Sequence, residues 1–314
     1  RELQDSGLDG SGVHVCMVDT GIDTAHPDFA NLTLAGFRDF YEGEHDLVRD
    51  VGEDSHGTMM AGLLVADGKF YGAAPGVNLS VALALGPTGT SGQEDRVAQA
   101  IRWCRITQKA DIVSLSLGSD PGDGMGIQSE TVLAVQEALD AGIFVVAAAG
   151  NTGDDASIYD ISVPANMRGV IAVGTSTRSG SVWSGSANGS MLDPYGQENR
   201  SYPDQKPEVS APGVLLFSTT STQIEPPYAY STGTSDSTVL VTGALALILE
   251  LHGTALAGDD GMFDADEMEI VKRSLASSCD KTGISGSPHD TRGGYGFLDA
   301  VQWASDIAFE LNLG

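Results

Sequence analysis

Three residue types that can share one proton occur in the order Asp19, His56, Ser235, each where an apolar run ends or begins. Asp19 closes the run Gly-Val-His-Val-Cys-Met-Val-Asp (residues 12–19) and is followed by Thr20-Gly21. His56-Gly57-Thr58 opens a second run, Met59 to Val65. Ser235 lies in Ser231-Thr-Gly-Thr-Ser-Asp236, ahead of a proline-free apolar stretch that reaches Glu250 and is too long for an ordinary strand. The pattern predicts a tight turn feeding a buried helix. A serine there meets free backbone N–H groups and the positive end of the helix dipole, a good place for a nucleophile because both favour developing negative charge. Each residue alone also has a plainer reading. Ser235 could be a helix cap, Asp19 a turn aspartate that needs hydrogen-bond partners, and His56 a cap or surface histidine. Asn151, after the apolar run Ile143 to Ala149 and Gly150, adds a fourth polar group at such an end. Together the four are far less ambiguous than any one.

The elements that must position them alternate. Strands are predicted at residues 12–19, 78–85, 111–117, 143–149 and 170–174, with weaker ones near Val209 and Val214–Phe217. Helices are predicted from His56, over Asp95–Arg105 with Val97, Ala100, Ile101 and Cys104 on one face, over Ser129–Ala141 ending at Gly142, and over Ala265–Ser277. A turn and a last helix occupy residues 294–304. Gly-rich loops fall at 86–92 and 121–126, and residues 175–230 are loop-rich. Strand–helix alternation with short turns implies an α/β fold: a doubly wound, mostly parallel central sheet flanked by helices in three layers. The functional crevice of such a sheet lies outside the C-terminal ends of its strands, where Asp19 and Asn151 stand. With no internal repeat or linker-like segment, residues 1–314 read as a single domain.

Composition narrows the function. The 314 residues can bury a sizeable core. The net charge is −27, from 43 acidic and 16 basic residues, and such a field repels phosphate backbones, so nucleic acid is not an expected partner. Lysine is confined to Lys69, Lys109, Lys206, Lys272 and Lys281. An acid-rich, lysine-poor surface suits a high-salt medium; an acidic secreted protein with no salt requirement fits equally well. No run approaches eighteen uninterrupted apolar residues, so no membrane span is expected. The opening Arg-Glu-Leu-Gln-Asp is not a signal peptide. Cys16, Cys104 and Cys279 show neither a disulfide framework nor a metal motif. Cys16 reads as a small core residue, leaving Cys104–Cys279 as the one bridge considered. The acids Asp259, Asp260, Asp264, Asp266, Glu267 and Glu269 suit a helix start, with Asp264 and Glu267 as a capping box. Their spacing is not that of an EF-hand loop, although a calcium site there is conceivable.

In the segments Val18-Asp-Thr-Gly-Ile-Asp23, His56-Gly-Thr58, Ser114-Leu-Ser-Leu-Gly118, Val145-Val-Ala-Ala-Ala-Gly-Asn151, Lys206-Pro-Glu-Val-Ser-Ala-Pro-Gly213 and Gly233-Thr-Ser235 the chain resembles the subtilisin-like serine proteases, the subtilases. They stand in family order and cover about residues 10 to 305. The resemblance implies a serine endopeptidase with Ser235 as nucleophile, His56 as general base and acid, and Asp19 orienting the imidazole. Asn151 and the Ser235 N–H would bind the oxyanion. It further implies an extended peptide substrate bound between Gly89-Thr90-Ser91 and Ser116-Leu117-Gly118. Ala148-Ala149-Gly150 would wall the S1 pocket, with Ser162 near its floor and a medium or large apolar P1 residue. Peptides or proteins are then the substrates, with the chain's own propeptide as an inhibitor. A mature, exported, monomeric form is what the resemblance implies, with an intracellular member of the family as the alternative. The chemistry needs no cofactor and no metal.

Departures from the family pattern matter. Met59-Met60 follow His-Gly-Thr where His-Val is usual. Asp236, Ser237 and Val239 follow the serine where Met-Ala and a nearby Pro are usual. Asp236 puts a negative charge beside the nucleophile, which could raise the His56 pKa or alter specificity; an acid in a first helical turn is also simply favourable. Asp28 matches a calcium ligand of some members, but the segment between His56 and Pro75 is shorter than the form that completes that site. Two other functions stay open. A catalytically silent binding or inhibitory domain could use the same scaffold, and an esterase could use the same triad.

Overall fold

The computed structural model describes residues 1–45, 47–91, 93–121, 129–258, 261–286 and 288–313, with Glu94 described by its backbone alone. Residues 122–126 of the second Gly-rich loop, Gly92 of the first, and Asp259 and Asp260 lie outside the described residues.

The apolar run ending at Asp19 forms β1 (His14–Asp19). Its side chains alternate: Val15 and Met17 enter one core, Cys16 and Val18 the other. A strand buried on both faces must be apolar at every position, which explains the continuous run. After the short α1 (Glu2–Asp5) and β1, the chain forms β2 (Gly36–Asp39), α2 (His56–Val65), β3 (Asn78–Leu83) and α3 (Glu94–Trp103). It continues through β4 (Ile112–Leu115), α4 (Glu130–Asp140), β5 (Phe144–Ala148), β6 (Ile171–Ser176) and β7 (Val209–Pro212). Then come β8 (Leu216–Thr219), β9 (Tyr228–Ser231), α5 (Thr234–Leu256), α6 (Ala265–Ser278) and α7 (Ala300–Glu310). Strands β2-β3-β1-β4-β5-β6-β7 form one parallel sheet in that order. Strands β8 and β9 pair antiparallel beside it.

Helices cover both faces. Met60 and Leu64 of α2, Leu245 and Ile248 of α5, Leu275 of α6 and Trp303 of α7 share the core with Val15 and Met17. Val97 and Ile101 of α3 and Val135 of α4 pack with Val18 on the other face. Because β1 lies between β3 and β4, the chain leaves it in opposite directions, opening a crevice at the strand ends. The expected α/β doubly wound sheet is therefore present. Two strands escaped the sequence reading: β2 is a half-buried edge strand with Arg38 and Asp39, and β9 is a half-exposed Tyr-Ala-Tyr-Ser ribbon. Neither has the apolar run by which the buried strands were found.

The cysteine expectation is corrected. Cys16 is bridged to Cys104, with Cα atoms 5.7 Å apart, and Cys279 is free and buried. Strand alternation turns Cys16 toward the face on which Cys104 ends α3. Cys279, after α6, packs into the opposite core. The Lys206-Pro-Glu segment also acquires a physical role. Lys206 Nζ donates to Glu208 Oε1 (2.8 Å) and to the Val170 carbonyl (2.6 Å), and Lys272 joins Glu208 to Asp204. This buried network ties β7 to the start of β6 and to α6.

One helix among the described residues, α5, is long and apolar enough to cross a membrane, with mean hydropathy 1.8. Most of its apolar side chains instead fill the core, and two of its hydroxyls are satisfied at the sheet. Ser237 Oγ donates to the Ala211 carbonyl (2.8 Å), and Thr242 Oγ1 donates to Ser114 Oγ (3.0 Å).

Candidate active site

Asp19 is the last residue of β1 and fully buried. Its Oδ1 accepts from the Thr20 N–H (2.7 Å) and lies 2.8 Å from His56 Nδ1. Its Oδ2 is buried without a hydrogen-bond partner among the described residues, so the Thr20 N–H and His56 carry the compensation for its charge. His56 begins α2, whose preceding residue, Ser55, sits in the left-handed region at φ 59°. Gly57 permits the close approach of this helix start to the turn after β1: a Cβ there would stand 2.1 Å from the Gly21 carbonyl oxygen. Thr20 Oγ1 accepts from the Gly57 N–H (2.8 Å) and donates to Asp50 Oδ1 (2.7 Å). Asp50 Oδ2 accepts from both the N–H and the hydroxyl of Thr58 (2.8 and 2.6 Å). Asp50 thereby clamps the turn after Asp19 to the helix that carries His56. Sequence reasoning missed it, because nothing local distinguishes this loop acid from its many neighbours.

Burial alone would lower the His56 pKa. The charge and hydrogen bond of Asp19, with the charges of Asp54 and Asp236, outweigh it and raise the value to about 9. Asp236, in the first turn of α5, is itself buried, which pushes its pKa up to about 6 against the Ser231 hydrogen bond and the charge of His56.

Ser235 is the second residue of α5, where backbone N–H groups lack helical partners. Its Oγ donates to the Ser116 carbonyl (3.2 Å), and Ser116 Oγ donates to the Ser235 carbonyl (3.1 Å). Both Ser235 and His56 line a cleft of about 940 Å³. Asn151, three residues beyond β5, lines it too. Its Oδ1 accepts from the N–H and hydroxyl of Thr234 (2.9 and 3.1 Å). A backbone N–H can only donate, so the amide orientation follows, and Nδ2 has no acceptor among the described residues.

The same cleft gathers nearly all the expected substrate-binding positions: Gly89, Thr90, Ser91, Ser116, Leu117, Gly118, Ala148, Gly150 and Ser162. Gly89 sits at φ +75° in the turn closed by Gly86 N to Thr90 O (2.8 Å). Ser162 lies across from both Gly118 and Gly150. A Cβ on the first would stand 2.6 Å from Ser162 Cβ, and one on the second 2.3 Å from its Oγ. Ala149 departs from its expected place: strand alternation turns its side chain into the core, and its carbonyl accepts from the Ser162 N–H (2.8 Å).

Asp28 is engaged by neighbouring protein groups. Asp28 Oδ1 accepts from the Lys69 N–H (3.1 Å) and the Tyr228 hydroxyl (2.9 Å), and the Lys69 ammonium stands 4.1 Å from the Tyr228 ring centre. Among the described residues no group of three or more His, Cys, Asp or Glu side chains could hold a metal. Asp264 caps α6, and Glu267 completes the capping box.

Ser235 at a helix start, the Asp19–His56 pair and the Asn151 amide thus meet at the ends of a parallel sheet. The chain belongs to the subtilase family, serine endopeptidases, whose family model matches residues 10–295. It is 34% identical over 253 residues to the major intracellular serine protease of Bacillus subtilis (strain 168), covering 79% of this chain and 71% of that protein. It is 36% identical over 255 residues to subtilisin E of Bacillus subtilis (strain 168), covering 80% of this chain and 59% of that protein. The chain therefore spans less than two thirds of subtilisin E. A solved structure of the prenylagaramide maturation protease PagA shares the fold at TM-score 0.73 and 20% identity, over 98% of this chain and 97% of that one.

Proposed function

We propose that this chain hydrolyses peptide bonds through an acyl-enzyme on Ser235. The 2.8 Å contact of His56 Nδ1 with Asp19 Oδ1 carries the reading, because a fixed imidazole tautomer is what a general base in this position requires. The Ser235 hydroxyl turns from the Ser116 carbonyl toward His56 Nε2 and attacks the substrate carbonyl carbon as its proton passes to the imidazole. Asn151 Nδ2 and the Ser235 N–H hold the oxyanion. His56 then returns the proton to the leaving nitrogen as the C–N bond breaks. Water, deprotonated by the same imidazole, releases the acid and restores Ser235. These steps use the chain's own groups and no cofactor.

The substrate is an extended peptide lying between residues 89–91 and 116–118. Gly118, Ala148, Gly150 and Ser162 leave an uncharged S1 space suited to a medium or large apolar P1 side chain. The enzyme acts as a monomer held in check by its propeptide. The Cys16–Cys104 bridge supports export, since disulfides persist in oxidising compartments.

One observation favours a second reading, a silent scaffold: Ser235 Oγ faces the Ser116 carbonyl rather than His56. Intact-protein mass after a fluorophosphonate probe decides between them. One adduct on the wild type and none on Ser235→Ala is expected; no adduct on either would reject the catalytic reading. Comparing amide with ester substrates separates a peptidase from an esterase. Because only neutral His56 can accept the proton, kcat/KM should rise with pH, with its midpoint well above 6.5 and toward 9. A midpoint at or below 6.5 in a pH-rate profile would remove the basis for that value.

A further inference from the structure

We propose that Arg200 is a positioning residue for substrate selection: its guanidinium, paired with Asp160, fixes the segment that carries the floor of the S1 space. The inference rests on the catalytic reading above and deepens it. Asp160 lies two residues before Ser162, and Asn166 four residues after it. Arg200 Nη1 donates to Asp160 Oδ1 (2.9 Å), and Nη2 donates to Asp160 Oδ2 (2.8 Å). Nη2 also donates to the Asn166 carbonyl (2.9 Å), and Nη1 to the Ser190 carbonyl (2.7 Å). One planar fork therefore holds both ends of residues 160–166. Asp160 Oδ1 further accepts from the N–H groups of Ile161 (2.9 Å) and Ser190 (2.7 Å). Asn166 Oδ1 accepts from the Tyr195 hydroxyl (2.9 Å). The side chains of Arg200 and Asp160 are only 2% and 0% exposed.

What the fork holds faces the cleft. Ser162 and Val163 line it, whereas Arg200 and Asp160 stand behind them and do not. The Ser162 N–H donates to the Ala149 carbonyl (2.8 Å), and Val163 exchanges two backbone hydrogen bonds with Ser119 (2.9 and 3.0 Å). The segment thus sits against both walls of the S1 space, with Ser162 beside Gly118 and Gly150. Stability alone does not call for a buried ion pair here, since well-packed apolar side chains of similar volume often serve as well. Apolar contacts can slide, however, whereas a fork bound to two carboxylate oxygens and two carbonyls permits one geometry. A lysine ammonium carries the same charge but has no fork with which to meet all four acceptors. A floor that can shift discriminates less between a large and a small apolar P1 side chain.

The test measures kcat and KM for peptide substrates that differ only in an apolar P1 residue, from Ala to Phe, in wild type and Arg200→Lys. Fluorophosphonate labelling of Ser235 is the control. The ratio of kcat/KM between the best and the poorest P1 residue should fall about tenfold in Arg200→Lys, mostly through a higher KM for the best substrate. An unchanged ratio in a folded, labelled variant overturns the inference while the catalytic reading stands. A merely structural pair would lower Tm, or kcat for every substrate alike, and leave the ratio in place, which also overturns it. Absence of labelling in the wild type overturns both. If Arg200→Lys does not fold, Asp160→Asn combined with Arg200→Met takes its place. That pair of changes buries no lone charge and keeps an oxygen that accepts from Ile161 and Ser190, so chiefly the fork is lost. The same fall is expected, and an unchanged ratio overturns the proposal.

Discussion

At the scale of single residues, the site depends on which polar atoms are already engaged. Asn151 spends its oxygen on Thr234 and keeps its amide hydrogens free, the state an oxyanion donor needs. Asn151→Ala should lower kcat about 10²–10³-fold with little change in KM, the size known for this donor in subtilisin. Steady-state kinetics check it, and equal turnover would remove the assigned role. Asp236 should make stability depend on pH. Its folded-state pKa is raised from 3.8 to about 6, so the folded state holds this proton where the unfolded chain releases it. Stability is lost as pH rises from about 4 to about 6 and stays lowered above, by about 3 kcal/mol as an upper figure. Asp236→Asn should therefore gain about 1–3 kcal/mol over wild type at pH 7 and nothing at pH 3. Urea midpoints at the two pH values measure it; an equal difference at both would reject the linkage.

At the scale of elements, β1 matters most. It carries Asp19 at its end and Cys16 in its middle, and each faces the partner that alternation dictates. The Cys16–Cys104 bridge closes 88 residues of sequence and pins α3, ahead of β4, to the central strand. Replacing both cysteines by alanine should cost about 2–4 kcal/mol, chiefly by freeing the unfolded chain. Denaturant unfolding with and without reductant would show it. A wild-type midpoint indifferent to reductant, with the bridge proven open by thiol titration, would contradict it. The helices divide the labour. α2 carries His56, α5 carries Ser235 at its N-terminal turn, and Asp50 fixes the first against the turn after β1.

Across the whole molecule, the charge of −27 dominates. Like charges on a folded surface repel, and salt screens them over a Debye length of about 8–10 Å near physiological strength. The melting temperature should rise from dilute buffer to molar salt. An unchanged value would favour the acidic protein without a salt requirement. The crevice itself is a property of the whole sheet, since the loops after β2, β3, β4 and β5 and the starts of α2 and α5 converge only because the strand order reverses at β1.

The sequence by itself determined the fold class and pointed to Asp19, His56, Asn151 and Ser235. Buried parallel strands must be apolar throughout, so the polar residue that ends each run stands out against them. It also revealed Asp264 and Glu267 as a cap, because capping is local. Tertiary structure alone decided what depends on which face a side chain takes and what lies opposite. It paired Cys16 with Cys104 across a strand–helix contact and turned Ala149 into the core. It made Asp50 a clamp and buried Asp236. It also formed β2 and β9, whose short, half-exposed sequences are organised by their neighbours rather than by their own pattern. Apolar runs are written along the chain, whereas hydrogen-bond partners and electrostatic fields exist only once distant segments meet.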